Sequence, residues 1–152
     1  MSVFLIVDFK HIGNYALLDL QQLHTSLINK NQVAQRVLAT VISYYPGRGA
    51  GGEDEAMCDA GAIAMSKDTG PSGIFGEVVG KPWVLARISQ EHGTLAKIAN
   101  GGEELQVGDV VEIVGQHACL TLAAYPWYYV VDSDVSGGGH IVEDVWVPWK
   151  GW

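Results

Sequence analysis

The sequence predicts a mainly β fold, a barrel or sandwich-like single domain over residues 1–152, with one or two short helices near the N-terminus. Three observations lead to this prediction. From residue 76 onward the chain consists of short apolar and β-branched runs, each bounded by glycine, asparagine or proline. An earlier run over residues 33–45 is longer and has a similar composition. The spacing of the runs is that of a barrel or sandwich and not that of βαβ units.

Composition limits the partners of the chain. At 152 residues it can bury about 70% of the surface that its unfolded form exposes, so it needs no disulfide to fold. A hydrophobic fraction of 48% places it outside the disordered class. Nine basic and seventeen acidic residues give a net charge of -8, which would repel nucleic acid and anionic membranes.

Cysteine content and the N-terminus bear on cellular location. Cys58 and Cys119 are too few for the disulfide framework of a small secreted domain, although a single bridge between them stays open. The apolar run at residues 3–7 follows no basic residue, precedes Asp8, and is too short for a signal peptide or a membrane span. We therefore expect a cytoplasmic protein, and non-classical release stays open.

The first 55 residues contain two predicted strands and one predicted short helix or loop. Residues 3–7 predict a strand, and five leucines between residues 17 and 27 predict either a short helix or a loop packed on a core. Residues 33–45 predict a long strand that Pro46 ends. The glycine-rich residues 47–55 carry three acids and lack the Gly-Lys-Ser/Thr ending of a phosphate-binding loop, so they indicate a hairpin or loop tip.

From residue 56 onward the sequence predicts strands and loops. Residues 56–61 predict a short buried strand that enters a turn, and residues 66–73 predict a polar loop. Lys67 could in principle form a Schiff base, but its polar neighbours favour a solvated amine. Further strands are predicted at residues 77–80, 83–89, 94–98, 106–113 and 141–147.

Two metal-ligand residue types stand two positions apart at His117 and Cys119, after an apolar run at residues 110–114 and before another at 128–131. If this stretch is extended, both side chains point to the same face and converge. Zinc accepts both ligand types. The spacing alone is a weak signal, since a buried cysteine usually packs as a small hydrophobic residue, and both interpretations stay open.

Another histidine is a candidate for the metal or substrate site, and a group of tryptophans is a candidate interface. His92 lies at a predicted turn, where it could be a third metal ligand, orient a metal ligand, contact a substrate, or simply be hydrogen-bonded within the turn. Aromatic residues gather in the last quarter of the chain, where core packing is the default interpretation and an interface or a sugar platform is the alternative. The candidate interface residues are Trp127, Trp146, Trp149 and Trp152.

The residues around His117 resemble the D-serine dehydratase-like family, pyridoxal-phosphate enzymes of the alanine-racemase fold type. In that family a Pro-Asn-His-x-Cys motif holds a catalytic zinc, and its His and Cys fall on His117 and Cys119. Gly115 and Gln116 stand where the family usually has Pro and Asn. The resemblance extends over nearly the whole chain, at residues 11–15, 19–22, 59–61, 65–68, 89–93 and 145–149.

The resemblance implies that this chain corresponds to the C-terminal β-domain of the family. There, a preceding barrel binds pyridoxal phosphate and supplies the lysine that anchors it. A (β/α)₈ barrel needs roughly 250 residues, so we do not expect this chain alone to hold that cofactor. The family's zinc is expected to bind the substrate and to help its hydroxyl group leave.

Three functions stay open from the sequence. We favour a stand-alone, non-catalytic binding protein, homodimeric because no barrel covers its apolar face, with zinc as a possible ligand. The second function is that of a domain or subunit of a zinc- and pyridoxal-phosphate-dependent D-serine dehydratase, which forms pyruvate and ammonia with a separate barrel chain. The third is binding of a glycan or a cell-surface receptor through the aromatic residues.

Overall fold

The computed structural model describes residues 17–98, 102–134 and 139–149. These residues form a closed six-stranded barrel, a separate two-stranded sheet and three short helices. The mainly β fold predicted from the sequence is confirmed, and of the two architectures it left open the barrel is the correct one. The predicted strand at residues 3–7 and the candidate interface residue Trp152 lie outside the described residues.

The elements follow one another in a simple order along the chain. The strands are β1 (Val37–Tyr45), β2 (Glu55–Cys58), β3 (Gly76–Val78), β4 (Trp83–Ile88), β5 (Gly93–Lys97), β6 (Val110–Gly115), β7 (Tyr128–Val131) and β8 (Val142–Trp146). The helices are α1 (Leu20–His24), α2 (Ala62–Met65) and α3 (Ala118–Ala124), and a 3₁₀ turn covers Lys30–Gln32. Among the described residues, no helix has the length and apolar character needed to cross a bilayer.

The barrel closes in the order β1, β2, β5, β4, β3, β6, with all neighbours antiparallel. Closure comes from β1 and β6, where Val37 pairs with Ile113 and Thr40 with Val110. A closed barrel has no unpaired strand edge, which removes a common route to aggregation.

Alternating side chains of the strands fill the barrel. On β1, Val37, Ala39 and Val41 are buried while Leu38 between them is exposed, the period-two pattern of a strand with one buried face. The largest buried side chain is Trp83 on β4, and its ring centroid lies 6.3 Å from that of Tyr44.

Strand β1 begins four residues later than the sequence predicted. Residues 33–36 precede the barrel, and the backbone N–H of Ala34 donates to the carbonyl of Leu17 at 2.9 Å. Val33 packs with Leu20 and Val114 in a second, smaller cluster outside the barrel. Apolar composition alone could not separate a residue facing this cluster from one facing the barrel interior.

Two glycines allow the turn after β2 to pack closely against the β4–β5 turn. A Cβ atom on Gly61 would lie 2.4 Å from the carbonyl oxygen of Gln90, and one on Gly93 would lie 2.6 Å from the carbonyl oxygen of Ala60. Side chains at these positions would therefore push the two turns apart. The close approach fixes where α2 leaves the barrel.

The sheet of β7 and β8 exposes apolar side chains. Tyr129 pairs with Val145, and the nearby Val131 pairs with Val142, so these four residues share one face. Each is 47–60% exposed. We call these four residues the apolar sheet face.

The default expectation that the late tryptophans form core is wrong. Trp127, Trp146 and Trp149 are exposed by 49%, 56% and 103%. The reason is topological, since β7 and β8 pair only with each other in the described sheets and stand outside the barrel. Their role as interface residues stays a prediction.

Candidate metal centre

His117 stands at the junction between β6 and α3. Its backbone is extended, with φ -141° and ψ 97°, and α3 begins at the next residue. The extended conformation of residues 117–119, on which convergence of the two side chains depended, is therefore not found, because Cys119 already belongs to the first turn of the helix. The segment Ala118–Ala124 contains five alanine and leucine residues, which are strong helix formers.

A buried carboxylate fixes the start of α3. Asp19 is fully buried, and its Oδ2 accepts a hydrogen bond of 2.7 Å from the backbone N–H of Ala118. Its Oδ1 accepts one of 2.9 Å from the N–H of Gln21 in α1. One side chain thus satisfies N–H groups at the N-termini of two helices, where negative charge is also favoured by the helix dipoles. The residues flanking Ala118 are held in place through this contact.

The imidazole of His117 contacts a carboxylate on the loop after α2. Its Nδ1 lies 2.6 Å from Oδ2 of Asp68, and the side chains are 30% and 39% exposed. An ionised carboxylate only accepts hydrogen bonds, so Nδ1 carries the proton and donates it. In the neutral ring, Nε2 then has a free lone pair, which is the form that binds metals.

The two cysteines have different environments. Both are free thiols, so the bridge that the sequence left open does not form. Cys58 is buried in the barrel core, and burial raises the pKa of its thiol. Cys119 is only partly buried. Because the thiolate is the metal ligand, Cys119 is the better suited of the two.

The loop that carries Asp68 is anchored beside His117. Gln116 is fully buried and donates from Nε2 to the carbonyl of Ile74 at 3.1 Å. A Cβ on Gly70 would lie 2.9 Å from that Nε2, so the loop and the residue before His117 are in close contact. The loop therefore cannot move away from His117 without breaking buried contacts.

Helix α3 is also attached to α2. The Tyr125 hydroxyl donates to the carbonyl of Ala64 at 3.3 Å, and burial raises its pKa. The Thr121 hydroxyl lies 3.0 Å from the carbonyl of His117 and 3.3 Å from that of Met65. These contacts connect the helix bearing Cys119 to the segment that leads into Asp68.

The possible role of His92 as a third metal ligand stays a prediction. Within the described ranges, no group of three or more His, Cys, Asp or Glu side chains able to hold a metal is found. The backbone of His92 closes the β4–β5 turn, where its carbonyl accepts a 2.8 Å hydrogen bond from the N–H of Ser89. A role of its side chain in orienting a ligand or contacting a substrate stays a prediction.

Sequence reasoning missed two carboxylates. The capping role of Asp19 was detectable, because an aspartate followed three positions later by a glutamine is typical of a capping box. In the structure, Oε1 of Gln22 accepts a 3.1 Å hydrogen bond from the N–H of Asp19. The pairing of Asp68 with His117 was not detectable, because 49 positions separate them.

The donor set can be compared with what each cofactor requires. The imidazole of His117 and the thiol of Cys119 match zinc in ligand type. They are one protein ligand fewer than a catalytic zinc normally has, so the remaining coordination positions would fall to water or a substrate. A lysine that anchors pyridoxal phosphate needs a partly desolvated amine. Lys67 is exposed, so it does not fit that role.

One protein family and several individual proteins are similar in sequence to this chain. Residues 34–131 match the family model described as "Putative serine dehydratase domain". The chain is 42% identical over 145 residues to D-serine dehydratase of Schizosaccharomyces pombe, covering 93% of this chain and 34% of that protein. It is 33% identical over 141 residues to D-threo-3-hydroxyaspartate dehydratase of Delftia sp. strain HT23, covering 82% and 36%. The chain thus spans about a third of the length of these relatives.

Solved structures agree with the sequence matches. D-threo-3-hydroxyaspartate dehydratase from Delftia sp. HT23 superposes with a TM-score of 0.72 at 32% identity, covering 91% of this chain and 38% of that one. An alanine-racemase-like protein from Idiomarina loihiensis gives a TM-score of 0.73 at 26% identity, with 91% and 38% covered.

Variants of the hydroxyaspartate enzyme have also been solved. In one a histidine is replaced by alanine, and in another a cysteine is replaced by alanine in the metal-free form. The two replaced residues stand two positions apart, the same spacing as His117 and Cys119.

Proposed function

We propose, since this chain belongs to the serine dehydratase domain family, that it is the zinc-binding β-domain of a dehydratase acting on D-configured 3-hydroxy amino acids. The observation that carries the proposal is the arrangement at the start of α3. There His117, with its Nδ1 engaged by Asp68, stands two positions before the free thiol of Cys119. The variants of the hydroxyaspartate enzyme, with the same spacing, support this assignment.

The relatives indicate the class of reaction. D-serine and D-threo-3-hydroxyaspartate both carry a hydroxyl group on carbon 3. For D-serine, the α-proton and this hydroxyl leave as water, and the resulting 2-aminoacrylate becomes the imine of pyruvate. Water then adds to the imine and releases ammonia, so the overall products are pyruvate and ammonia. Withdrawal of electrons from the α-carbon is assigned to pyridoxal phosphate in the part of the relatives that this chain does not match.

Each residue of the centre has a proposed task. Nε2 of His117 and Sγ of Cys119 would hold zinc, which supplies Lewis acidity to the departing hydroxyl when bound. Asp19 holds the backbone of α3 so that both donors stay in place. A reduced Cys119 is required, which agrees with a reducing compartment such as the cytoplasm.

Metal binding tests the first part of this proposal. The purified chain should bind one zinc, and Co²⁺ in its place should give the absorption band of a thiolate–cobalt bond. His117→Ala and Cys119→Ala should each abolish the band. Cys58→Ala is the matched control, because it removes the other thiol, in the barrel core, and should retain the band. Absence of zinc from the wild-type chain at excess metal would refute the site.

A chimera tests the second part. Joining the unmatched part of the Schizosaccharomyces pombe enzyme to this chain, in place of its own matching third, should give pyruvate from D-serine with pyridoxal phosphate and zinc present. The same chimera with Cys119→Ala should lose activity while retaining the absorbance of the bound coenzyme. A folded, coenzyme-loaded chimera with no turnover would contradict the dehydratase function.

The apolar sheet face favours a second candidate function. Four apolar side chains exposed on one side of a small sheet, beside the exposed Trp127 and Trp149, are typical of a surface that contacts a partner. This observation supports the stand-alone binding protein, with a second copy of the chain as the simplest partner. A separate barrel chain, a receptor or a glycan could use the same residues.

A further inference from the structure

We infer that Asp68 is a positioning residue that selects the tautomer and orientation of His117 and thereby strengthens zinc binding at Nε2. This inference rests on the proposed function, because it concerns the same metal centre. It starts from one contact, in which Oδ2 of Asp68 lies 2.6 Å from Nδ1 of His117.

The contact with Asp68 decides which nitrogen of the His117 ring carries the proton. A neutral imidazole carries its proton on either nitrogen, and the hydrogen bond made by one nitrogen decides which. With Asp68 accepting at Nδ1, the lone pair stands at Nε2, on the far side of the ring from the carboxylate. Without Asp68, part of the population would carry the proton on Nε2 and could not bind metal there.

The segments that carry His117 and Asp68 are anchored to each other, which limits the orientation of the imidazole. His117 follows Gln116, whose buried side chain donates to the carbonyl of Ile74, and Gly70 N–H donates to the same carbonyl at 3.0 Å. The loop bearing Asp68 and the strand end bearing His117 therefore share an anchor. Both partners of the contact are held by the fold, so the contact can restrict rotation of the imidazole.

The negative charge of Asp68 affects how strongly the imidazole donates electrons to a metal. A carboxylate on the outer nitrogen makes the imidazole a better electron donor, and removing such a partner typically lowers metal affinity about 10–100-fold. The competing explanation is an ordinary partly exposed ion pair, which stabilises a protein little or not at all. Under that explanation, Asp68 variants would leave zinc affinity unchanged.

Zinc affinity distinguishes these explanations. In competition with a chromophoric chelator, Asp68→Asn should weaken zinc binding by about 10-fold, because the amide oxygen can still accept from Nδ1 but carries no charge. Asp68→Ala should weaken it by about 100-fold, because the acceptor is lost as well. Glu103→Gln is the control, since it removes another exposed carboxylate that is paired with Lys81 at 2.5 Å. Its zinc affinity should equal that of the wild type.

A measurement without metal reports on the tautomer directly. Nitrogen-15 NMR of the metal-free chain at a pH where His117 is neutral should show its proton on Nδ1 in the wild type. Asp68→Ala should shift the population towards Nε2–H, while the other histidine signals and the circular dichroism spectrum stay unchanged.

The outcomes separate the two proposals. A wild-type chain that binds no zinc refutes the proposed function and this inference with it. A wild-type chain that binds zinc while both folded Asp68 variants bind it equally well refutes the role of Asp68 alone. If Asp68→Ala does not fold, Asp68→Asn decides the question, because it preserves the shape of the side chain.

Discussion

Asp19 connects the N-terminal helix to the candidate metal centre through one side chain. Its two oxygens accept hydrogen bonds from backbone N–H groups of α1 and α3, and both bonds are shorter than 3 Å. Helix caps of this kind are worth about 1–2 kcal/mol each. The effect of replacing Asp19 should therefore be larger than that of losing a single cap.

We predict that Asp19→Ala lowers the free energy of unfolding by about 2–4 kcal/mol, the sum of two caps. Asp19→Asn retains one acceptor oxygen and should lose about half as much. Urea denaturation gives the values. Asp132→Ala is the control, because Asp132 accepts a comparable 2.8 Å bond from the N–H of Asp134 in an exposed turn. If Asp19→Ala were no more destabilising than this control, the double cap would be ruled out.

The hydrogen bond between Tyr44 and Asp54 leads to a prediction about the pH dependence of stability. The Tyr44 hydroxyl donates to Asp54 at 2.6 Å, and this bond, burial and nearby negative charge raise the pKa of Tyr44 to about 12. The pKa of Asp54 is lowered, mainly by the hydrogen bond from Tyr44 and next by the hydrogen bond from the N–H of Gly47. The stability that Tyr44 contributes is fully present below its unfolded pKa of 10.0, and is lost as pH rises to about 12.

The contribution of Asp54 has the opposite sign. It is present above the unfolded pKa of 3.8 and is lost as pH falls below that value. The contribution of these two residues to the free energy of unfolding should therefore be constant between pH 3.8 and pH 10.0, and should fall outside that range. In an absorbance titration of tyrosine ionisation, Tyr44→Phe should remove one late-titrating tyrosine near pH 12. If the wild type and Tyr44→Phe showed the same absorbance change near pH 12, the hydrogen bond would be contradicted.

At the level of elements, the sequence predicted strands well and the site helix poorly. Some strands end directly before a proline or at a glycine, as β1 does before Pro46 and β6 at Gly115, and there local composition was enough to place the end. Helix α3 depends on a cap supplied by Asp19, a residue 99 positions away from Ala118. Its short apolar sequence fits either a strand or a helix, and only the tertiary contact decides between them.

The close packing of two turns gives a prediction at this level. Gly61→Ala should destabilise the fold by about 1–3 kcal/mol, since its Cβ would meet rigid backbone atoms of Gln90 and Glu91 at 2.4 Å. Gly51→Ala is the control, because its Cβ would meet only the flexible carboxylate of Glu53. Chemical denaturation of both variants provides the comparison. Equal midpoints would show that the turns separate without cost.

At the level of the whole molecule, the barrel and the two-stranded sheet have different surface properties. The barrel has no free strand edge and encloses a cluster of buried apolar side chains, whereas the apolar residues of the β7–β8 sheet are exposed. The sequence indicated aromatic residues in this region but not that they lie outside the core. Their placement depends on which strands pair across the chain, and composition does not determine such pairing.

The apolar sheet face leads to a prediction about self-association. If two copies of the chain cover this face for each other, the mass measured by light scattering should rise towards that of a dimer with concentration. Val145→Lys should return it to that of one chain, because a desolvated ammonium group would be buried without a partner. Val110→Lys is the matched control, since Val110 is a 63%-exposed valine on the barrel, and it should leave the dimer intact. A mass of one chain at every concentration would exclude the dimer and leave the face to a partner of different sequence, such as the cofactor-binding part of a dehydratase.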